Sequence, residues 1–366
     1  MAYQERKNKG GKIMNIIVTG GAGFIGSHLC EKLLSLNHRV VNIDNFNDFY
    51  DFKIKIRNVL ESINSKELIR DFQSVAESTK IKKDELIKAL CDIAESKKYK
   101  ICYGDIRDDE FLEKIFSDEN PDMVINLAGM AGVRPSLSKP LLYEDVNVRG
   151  TMNILEMCRK YNVKKFIQAS SSSVYGNNKK VPFKETDVVD FPISPYAATK
   201  KSCEVIGHVY HTLYKTDMFQ LRFFTVYGER QRPDLAVHKF TKLILDEKPV
   251  SVYGDGNSFR DYTYIDDIIQ GILKSMDYLL KNSNVYEILN LGNSHTISLN
   301  EMIKTIENEL GKKAEIKNFP VQQGDVNKTY ADISKAENLI GYSSKTDFGE
   351  GIKKFVKWYK QENFKK

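Results

Sequence analysis

The stretch Ile16-Ile17-Val18-Thr19-Gly20-Gly21-Ala22-Gly23-Phe24-Ile25-Gly26 constrains this chain more than any other. A short apolar run reads as a buried strand. The glycines after it let the backbone turn tightly, and an apolar helical pattern follows through Leu36. Closely spaced glycines at such a turn let the main chain approach a pyrophosphate, with the positive end of the helix aimed at it. Two registers satisfy the spacing, Gly20, Gly23, Gly26 or Gly21, Gly23, Gly26. Asp44, eighteen residues past Gly26, closes the second strand candidate. An acid there suits the adenosine ribose hydroxyls and repels a 2′-phosphate, which favours NAD over NADP.

The strand–turn–helix unit is the first of several. Ile16–Thr19, Val40–Asp44, Lys100–Asp105, Met123–Ala128, Phe166–Ser170 and Phe219–Phe224 are apolar runs without polar alternation. Such runs suit strands buried on both faces, and alternation with helices implies a parallel sheet with right-handed crossovers. The expected fold class is therefore α/β: a Rossmann-type, doubly wound parallel sheet with a smaller C-terminal α/β substrate domain. Residues 13–200 would form the NAD-binding part, after a disordered leader over residues 1–12. Residues 201–366 would hold the last Rossmann strands and a smaller C-terminal lobe, with helices over Asp266–Leu280, Leu299–Leu310 and Gly349–Lys360. One spacing is too long. From Asp44 to Lys100 the chain runs 56 residues, where a whole βαβ unit needs roughly 30. The excess, about residues 51–98, reads as a helical insertion with apolar stripes at Leu68, Phe72, Val75 and at Leu86, Leu90, Ile93. Its charged remainder predicts a solvated surface excursion without chemistry.

Charge bears on partners. The net +6 is carried by residues 1–12 and 51–100, each at +3, while the other 304 residues hold 39 charges of each sign. No basic–aromatic stripe marks a nucleic-acid partner. No apolar run approaches the roughly 20 residues of a membrane span. Five scattered cysteines without a C-x-x-C pair suit a reducing compartment, so a cytoplasmic protein is expected. His208 and His211 are too few ligands for a metal site. Asp266-Asp267 suits a helix start better than an acid pair.

Tyr196 and Lys200 stand four apart on one helix face. An ammonium at that distance and a cationic nicotinamide favour a phenolate, which can take a proton from a sugar hydroxyl. The run Ser170-Ser171-Ser172-Ser173-Val174-Tyr175-Gly176 ends the fifth strand, at the edge where ligands of such sheets sit. A serine there can hydrogen-bond the reacting oxygen.

Taken together, T-G-G-A-G-F-I-G, S-S-S-S-V-Y-G, S-P-Y-A-A-T-K and R-D-Y-T-Y-I-D-D (Arg260–Asp267) resemble the extended short-chain dehydrogenase/reductase superfamily. Ala131-Gly132-Val133-Arg134, Thr225-Val226-Tyr227-Gly228 and Arg232-Pro233-Asp234 narrow the resemblance to UDP-glucuronate 4-epimerases. The resemblance implies a catalytic triad of Ser171, Tyr196 and Lys200. It implies an NAD set of Gly20, Gly23, Phe24, Ile25, Gly26, Asp44, Asn45, Asp105, Ile106, Leu127, Ala128, Asn147, Tyr196, Lys200 and Phe224. Arg260 would hold the UDP phosphates, Thr225 and Arg232 would face the sugar, and Ser172 and Ser173 would lie near its carboxylate. Arg134 completes the implied substrate set. The implied partners are a UDP-sugar and a second copy of the chain, joined through a four-helix bundle.

The implied reaction inverts C4 through a transient 4-keto sugar, with UDP-glucuronate giving UDP-galacturonate. Related dehydratases and decarboxylases carry an acid two residues before the V-Y-G tyrosine; Ser173 stands there. Leu127-Ala128-Gly129-Met130 replaces the usual L-A-A-Q, and Pro135 follows Arg134 where an aromatic is usual, so this wall of the pocket differs. The alternatives are a 4-epimerase of a neutral or N-acetylated UDP-hexose, a nucleotide-sugar dehydratase or decarboxylase, or a non-catalytic NAD-binding scaffold.

Overall fold

The computed structural model describes residues 13–64, 82–320 and 328–363. The expected leader and the Leu68, Phe72, Val75 stripe lie outside them.

Seven strands form one parallel sheet in the order β10-β6-β5-β4-β1-β2-β3. They are β1 (Asn15–Thr19), β2 (Arg39–Asp44), β3 (Tyr99–Tyr103), β4 (Met123–Asn126), β5 (Lys165–Ser171), β6 (Asp217–Phe223) and β10 (Tyr286–Leu291). Side chains alternate between two cores, as a sheet covered on both faces requires. Ile16 and Val18 enter one core and Ile17 the other. Strand order reverses between β1 and β4, which opens a crevice at their carboxyl ends. Thr19 Oγ1 braces that point, donating to Asn126 Oδ1 at 2.5 Å and accepting from the Ala128 amide at 3.1 Å. The doubly wound α/β architecture is as the sequence implies.

After β6 the chain changes sheets. Phe223 ends β6, and Thr225 opens β7 (Thr225–Tyr227), which pairs with β9 (Phe259–Tyr264) in a three-stranded sheet completed by β11 (Thr296–Ser298). A two-stranded sheet pairs β8 (Val250–Tyr253) with β12 (Ile316–Phe319). These small sheets, with the helices Ala236–Leu245, Leu299–Leu310 and Phe348–Asn363, make the smaller C-terminal lobe. The helix Ile265–Lys281 opens with Asp266 and Asp267 in its first turn. Asp267 does not cap that helix. It accepts bonds from Ser344, Lys345 and Thr346 and so fixes a later loop.

The segment from 51 to 98 departs most from its sequence reading. Helix α1 (Phe24–Ser35) is followed by α2 (Phe52–Ser62), capped by the Asp51 carboxylate, and by α3 (Lys83–Ala94). Ile56, Val59 and Leu60 of α2 and Leu86, Ile87 and Leu90 of α3 are buried in the main core. Helix α2 also meets the C-terminal helix, where the Arg57 guanidinium lies over the Trp358 ring and pairs with Glu362. It is structural, not decorative.

Candidate active site

Strands β1 to β6 deliver side chains or turns to one cleft at the carboxyl edge of the sheet, and β7 adds Thr225 and Val226. After β1, Gly20 adopts φ +70°, and a Cβ there would come within 2.9 Å of the Ala128 nitrogen. A Cβ on Gly26 would lie 2.1 Å from the Gly20 carbonyl oxygen. Only glycine fits either position. Gly20, Gly23 and Gly26 all line the cleft, which selects the first of the two registers. Helix α1 starts without a side-chain cap and without an acid in its first turn. Its positive end is thus left to an anion.

Asp44, at the end of β2, accepts from the Ala22 amide at 3.1 Å and the Phe46 amide at 2.8 Å. The Lys55 ammonium lies 3.2 Å away, and both side chains are buried. Next to it, Asn45 Nδ2 donates to Asp105 at 2.8 Å. Burial pushes the Asp105 carboxyl up, but hydrogen bonds from Arg107 and Asn45 outweigh it and hold the group at about 2. Phe24, Ile25, Ile106, Leu127, Ala128 and Phe224 complete this part of the lining. A glycine cradle that any Cβ would fill, an uncapped helix start and a fixed ribose-side carboxylate fit a dinucleotide.

The centre of the cleft holds the tyrosine–lysine helix, Pro195–Tyr214, which Ser194 caps at the Ala197 amide. Tyr196, Lys200 and Ser171 all line the cleft. The buried Lys200 ammonium donates to the Ala169 carbonyl at 2.8 Å, which ties it to β5 two residues before Ser171. Ser171 Oγ accepts from the Ser173 amide at 3.1 Å, and its hydroxyl proton remains to be donated. Tyr143 meets the Tyr196 ring edge-to-face at 6.2 Å between centroids and restricts it.

The far wall comes from loops. Ser172 and Ser173 sit in a 3-10 turn after β5, Thr225 sits where the chain changes sheets, and Arg232 follows β7; all four line the cleft. Arg232 Nε and Nη2 donate to Asp234 at 2.9 and 2.7 Å. Burial works against the Arg232 charge, but its Asp234 partner outweighs this and raises its pKa above the usual value. Among the described residues, the carboxylates lining the cleft are Asp44 and Asp105. The first pairs with Lys55 and the second with Arg107.

Three residues of the implied sets fall outside the lining. Asn147 is buried in a π-helical turn, Asp145–Arg149. It bonds Met130 main-chain atoms and Thr199 and so props the 128–130 wall. Arg134 is exposed and lies over the Tyr253 ring. Arg260, on β9, donates to the Phe259 carbonyl. Their motifs match, but the three residues do not line this cleft. In turn the cleft includes Asn47, Phe49 and Tyr50, which the sequence reading does not single out, and Lys55, which it places in the solvated insertion. The one available signal was a lysine placed among α2 residues with helical apolar spacing. The loop carrying Arg232 is anchored from behind. Buried Arg230 pairs with Glu31 of α1 at 2.7 Å and with Glu61 of α2 at 2.8 Å.

Fold and cleft together define a dinucleotide-binding enzyme of short-chain dehydrogenase/reductase type. The family model described as GDP-mannose 4,6 dehydratase matches residues 17–74 and 68–355, so the chain belongs to that family of epimerases and dehydratases. The two matched segments meet inside the insertion. The chain is 39% identical to a UDP-glucuronate 4-epimerase of Thermodesulfobacterium geofontis over 346 residues, 94% of this chain and 96% of that one. It is similar to the crystal structure of UDP-glucuronic acid 4-epimerase from Bacillus cereus in complex with UDP-glucuronic acid and NAD. There the TM-score is 0.80 at 34% identity, over 95% of this chain and 100% of that one. The UDP-glucose 4-epimerase of Thermotoga maritima with UDP-glucose matches at TM-score 0.78 and 31% identity, over 95% and 99%.

Proposed function

We propose that the chain is an NAD-dependent UDP-sugar 4-epimerase that interconverts UDP-glucuronate and UDP-galacturonate. One observation carries this reading. A single cleft joins the glycine cradle, the Ser171–Tyr196–Lys200 group and a wall of three hydroxyl side chains and a guanidinium, with every lining carboxylate already paired. The relatives named above support the same reaction class.

Gly20, Gly23, Gly26 and Asp44 would hold the NAD, which supplies reversible oxidation at the sugar C4 when bound. Tyr196 takes the O4 proton as the alcohol becomes a ketone and returns it once the opposite face has been reduced. Ser171 donates its hydroxyl proton to the same oxygen. Lys200, fixed at the Ala169 carbonyl, keeps a positive charge one turn from Tyr196 and stabilises its phenolate. Ser172, Ser173, Thr225 and Arg232 hold the sugar carboxylate. Among the described residues no unpaired acid lines this wall, so none of them supplies the proton-transfer group that elimination needs. The neutral-hexose reading rests on the likeness to the Thermotoga enzyme. Incubation with a panel of UDP-sugars, with products resolved by NMR, decides between them. Fastest turnover of UDP-glucuronate supports the proposal, and fastest turnover of UDP-glucose or its N-acetylated analogue refutes it.

We also infer a cytoplasmic homodimer. Among the described residues no helix is long and apolar enough to cross a membrane. Val205, Val209 and Leu213, at successive four-residue steps on the Tyr196 helix, are 54, 46 and 62% exposed, and Met152 on the helix Gly150–Lys160 is 42% exposed. An apolar stripe of this kind suits packing against a second copy. Val209→Glu should convert a dimer to a monomer in light scattering. A wild-type chain already monomeric at micromolar concentration would exclude the pairing.

A further inference from the structure

Phe49 lies on the cleft wall, and its ring centroid is 5.0 Å from the Arg232 guanidinium carbon. Asp234 takes Nε and Nη2 of the same group. The guanidinium is thus held by a ring and along one edge, with Nη1 outside the Asp234 pair. Phe49 itself is fixed by a loop stitched to its own backbone. Asp44 accepts from the Phe46 amide, Asn45 from Asn47, Asn47 from Phe49 and Asp51 from Lys53, at 2.8 to 3.2 Å. The stitching begins at the carboxylate on the dinucleotide side and runs through Phe49, whose ring meets the arginine. Asn45 anchors it sideways to Asp105.

We propose that Phe49 is a specificity-determining positioning residue, whose ring holds the Arg232 guanidinium in the orientation that reads an acidic substituent on the sugar. The inference rests on the reading above, that Arg232 meets a carboxylate. Its physical basis is preorganisation. A free arginine side chain samples many rotamers, and a carboxylate must freeze one of them on binding. A guanidinium already held on a ring and pinned by Asp234 loses less freedom. The ring also attracts the cation directly. A neutral hydroxymethyl group draws little from either effect, so the contribution of Phe49 falls on the acidic ligand alone.

The test measures binding by calorimetry in a Tyr196→Phe background, so that no turnover intervenes, with retained NAD and melting temperature checked for each protein. Phe49→Ala should weaken UDP-glucuronate about five- to twentyfold and leave UDP-glucose within about twofold. Phe49→Tyr keeps the ring and should restore the acidic ligand's affinity. Phe49→Leu keeps bulk without the π face and should fall between. In an Arg232→Ala background, Phe49→Ala should add nothing. Equal weakening of both ligands, or no weakening while Arg232→Ala abolishes the preference, overturns the inference and leaves the proposed function standing. An Arg232→Ala protein that keeps its preference for UDP-glucuronate refutes acid recognition by Arg232, and the role of Phe49 with it.

Discussion

The two ends of the cleft are built in opposite ways. The dinucleotide end rests on strand ends and one glycine turn, and its defining residues lie close in sequence. Gly20 through Gly26 are a single motif, and Asp44 is the next strand's last residue. The sugar end is assembled from loops far apart in the chain. Phe49 precedes α2, Ser172 and Ser173 follow β5, and Arg232 follows β7. The first kind of site is fixed by backbone geometry that few residues can satisfy. The second depends on side chains that buttress one another, such as Arg232 between Phe49 and Asp234. A family can keep the first and vary the second, which fits relatives of one fold carrying names of different UDP-sugar epimerases.

The largest expected effect falls where the two ends meet. Tyr196→Phe should lower kcat by about a thousandfold while NAD stays bound, measured by turnover and by cofactor content after gel filtration. Loss of NAD together with activity would mean that Tyr196 holds the dinucleotide end and does not serve the sugar end.

A smaller effect separates the ends. Lys55→Met leaves Asp44 buried beside two amides without its cation, and NAD affinity should fall about thirtyfold. UDP binding to protein saturated with NAD should not change. Calorimetry with each ligand checks both halves. If UDP affinity falls equally, the loop from Asp44 to Asp51 serves the two ends as one unit.

How much of this was legible beforehand follows from the same division. The parallel sheet, the glycine turn, Asp44, Tyr196 and Lys200 are local patterns, and each stands where its pattern places it. The sugar wall was only partly legible. Thr225 and Arg232 line the cleft, whereas Arg260 and Arg134, which the resemblance implies as well, are not among its lining residues. Phe49 and Lys55 were hidden by context. The overlong spacing from Asp44 to Lys100 and the high charge made this stretch look like a solvated excursion. Lys55 is buried against Asp44, and Arg57 is paired with Glu61. The charge excess that suggested exposure is therefore partly spent inside the molecule.

The smallest effect concerns acid stability. Asp105 is held at about 2 in the folded chain, against an unfolded value of about 3.9. A depressed carboxylate contributes stability in full above the unfolded value and loses it as pH falls through the folded one. The stability difference between wild type and Asp105→Asn should be constant above about pH 4.5 and vanish toward pH 2. Denaturant melts at a series of pH values would show it. A difference unchanged to pH 2 would mean that the Arg107 pair does not form in solution.

The most direct test of the central claim follows one atom. UDP-glucuronate carrying deuterium at C4 is incubated with the NAD-loaded protein in ordinary water, and the products are read by NMR. The account predicts UDP-galacturonate that keeps its deuterium at C4, because oxidation and reduction occur at the same carbon within one cleft. Deuterium exchanged into the solvent, a pentose product, or an unchanged substrate alongside rapid turnover of UDP-glucose would contradict it.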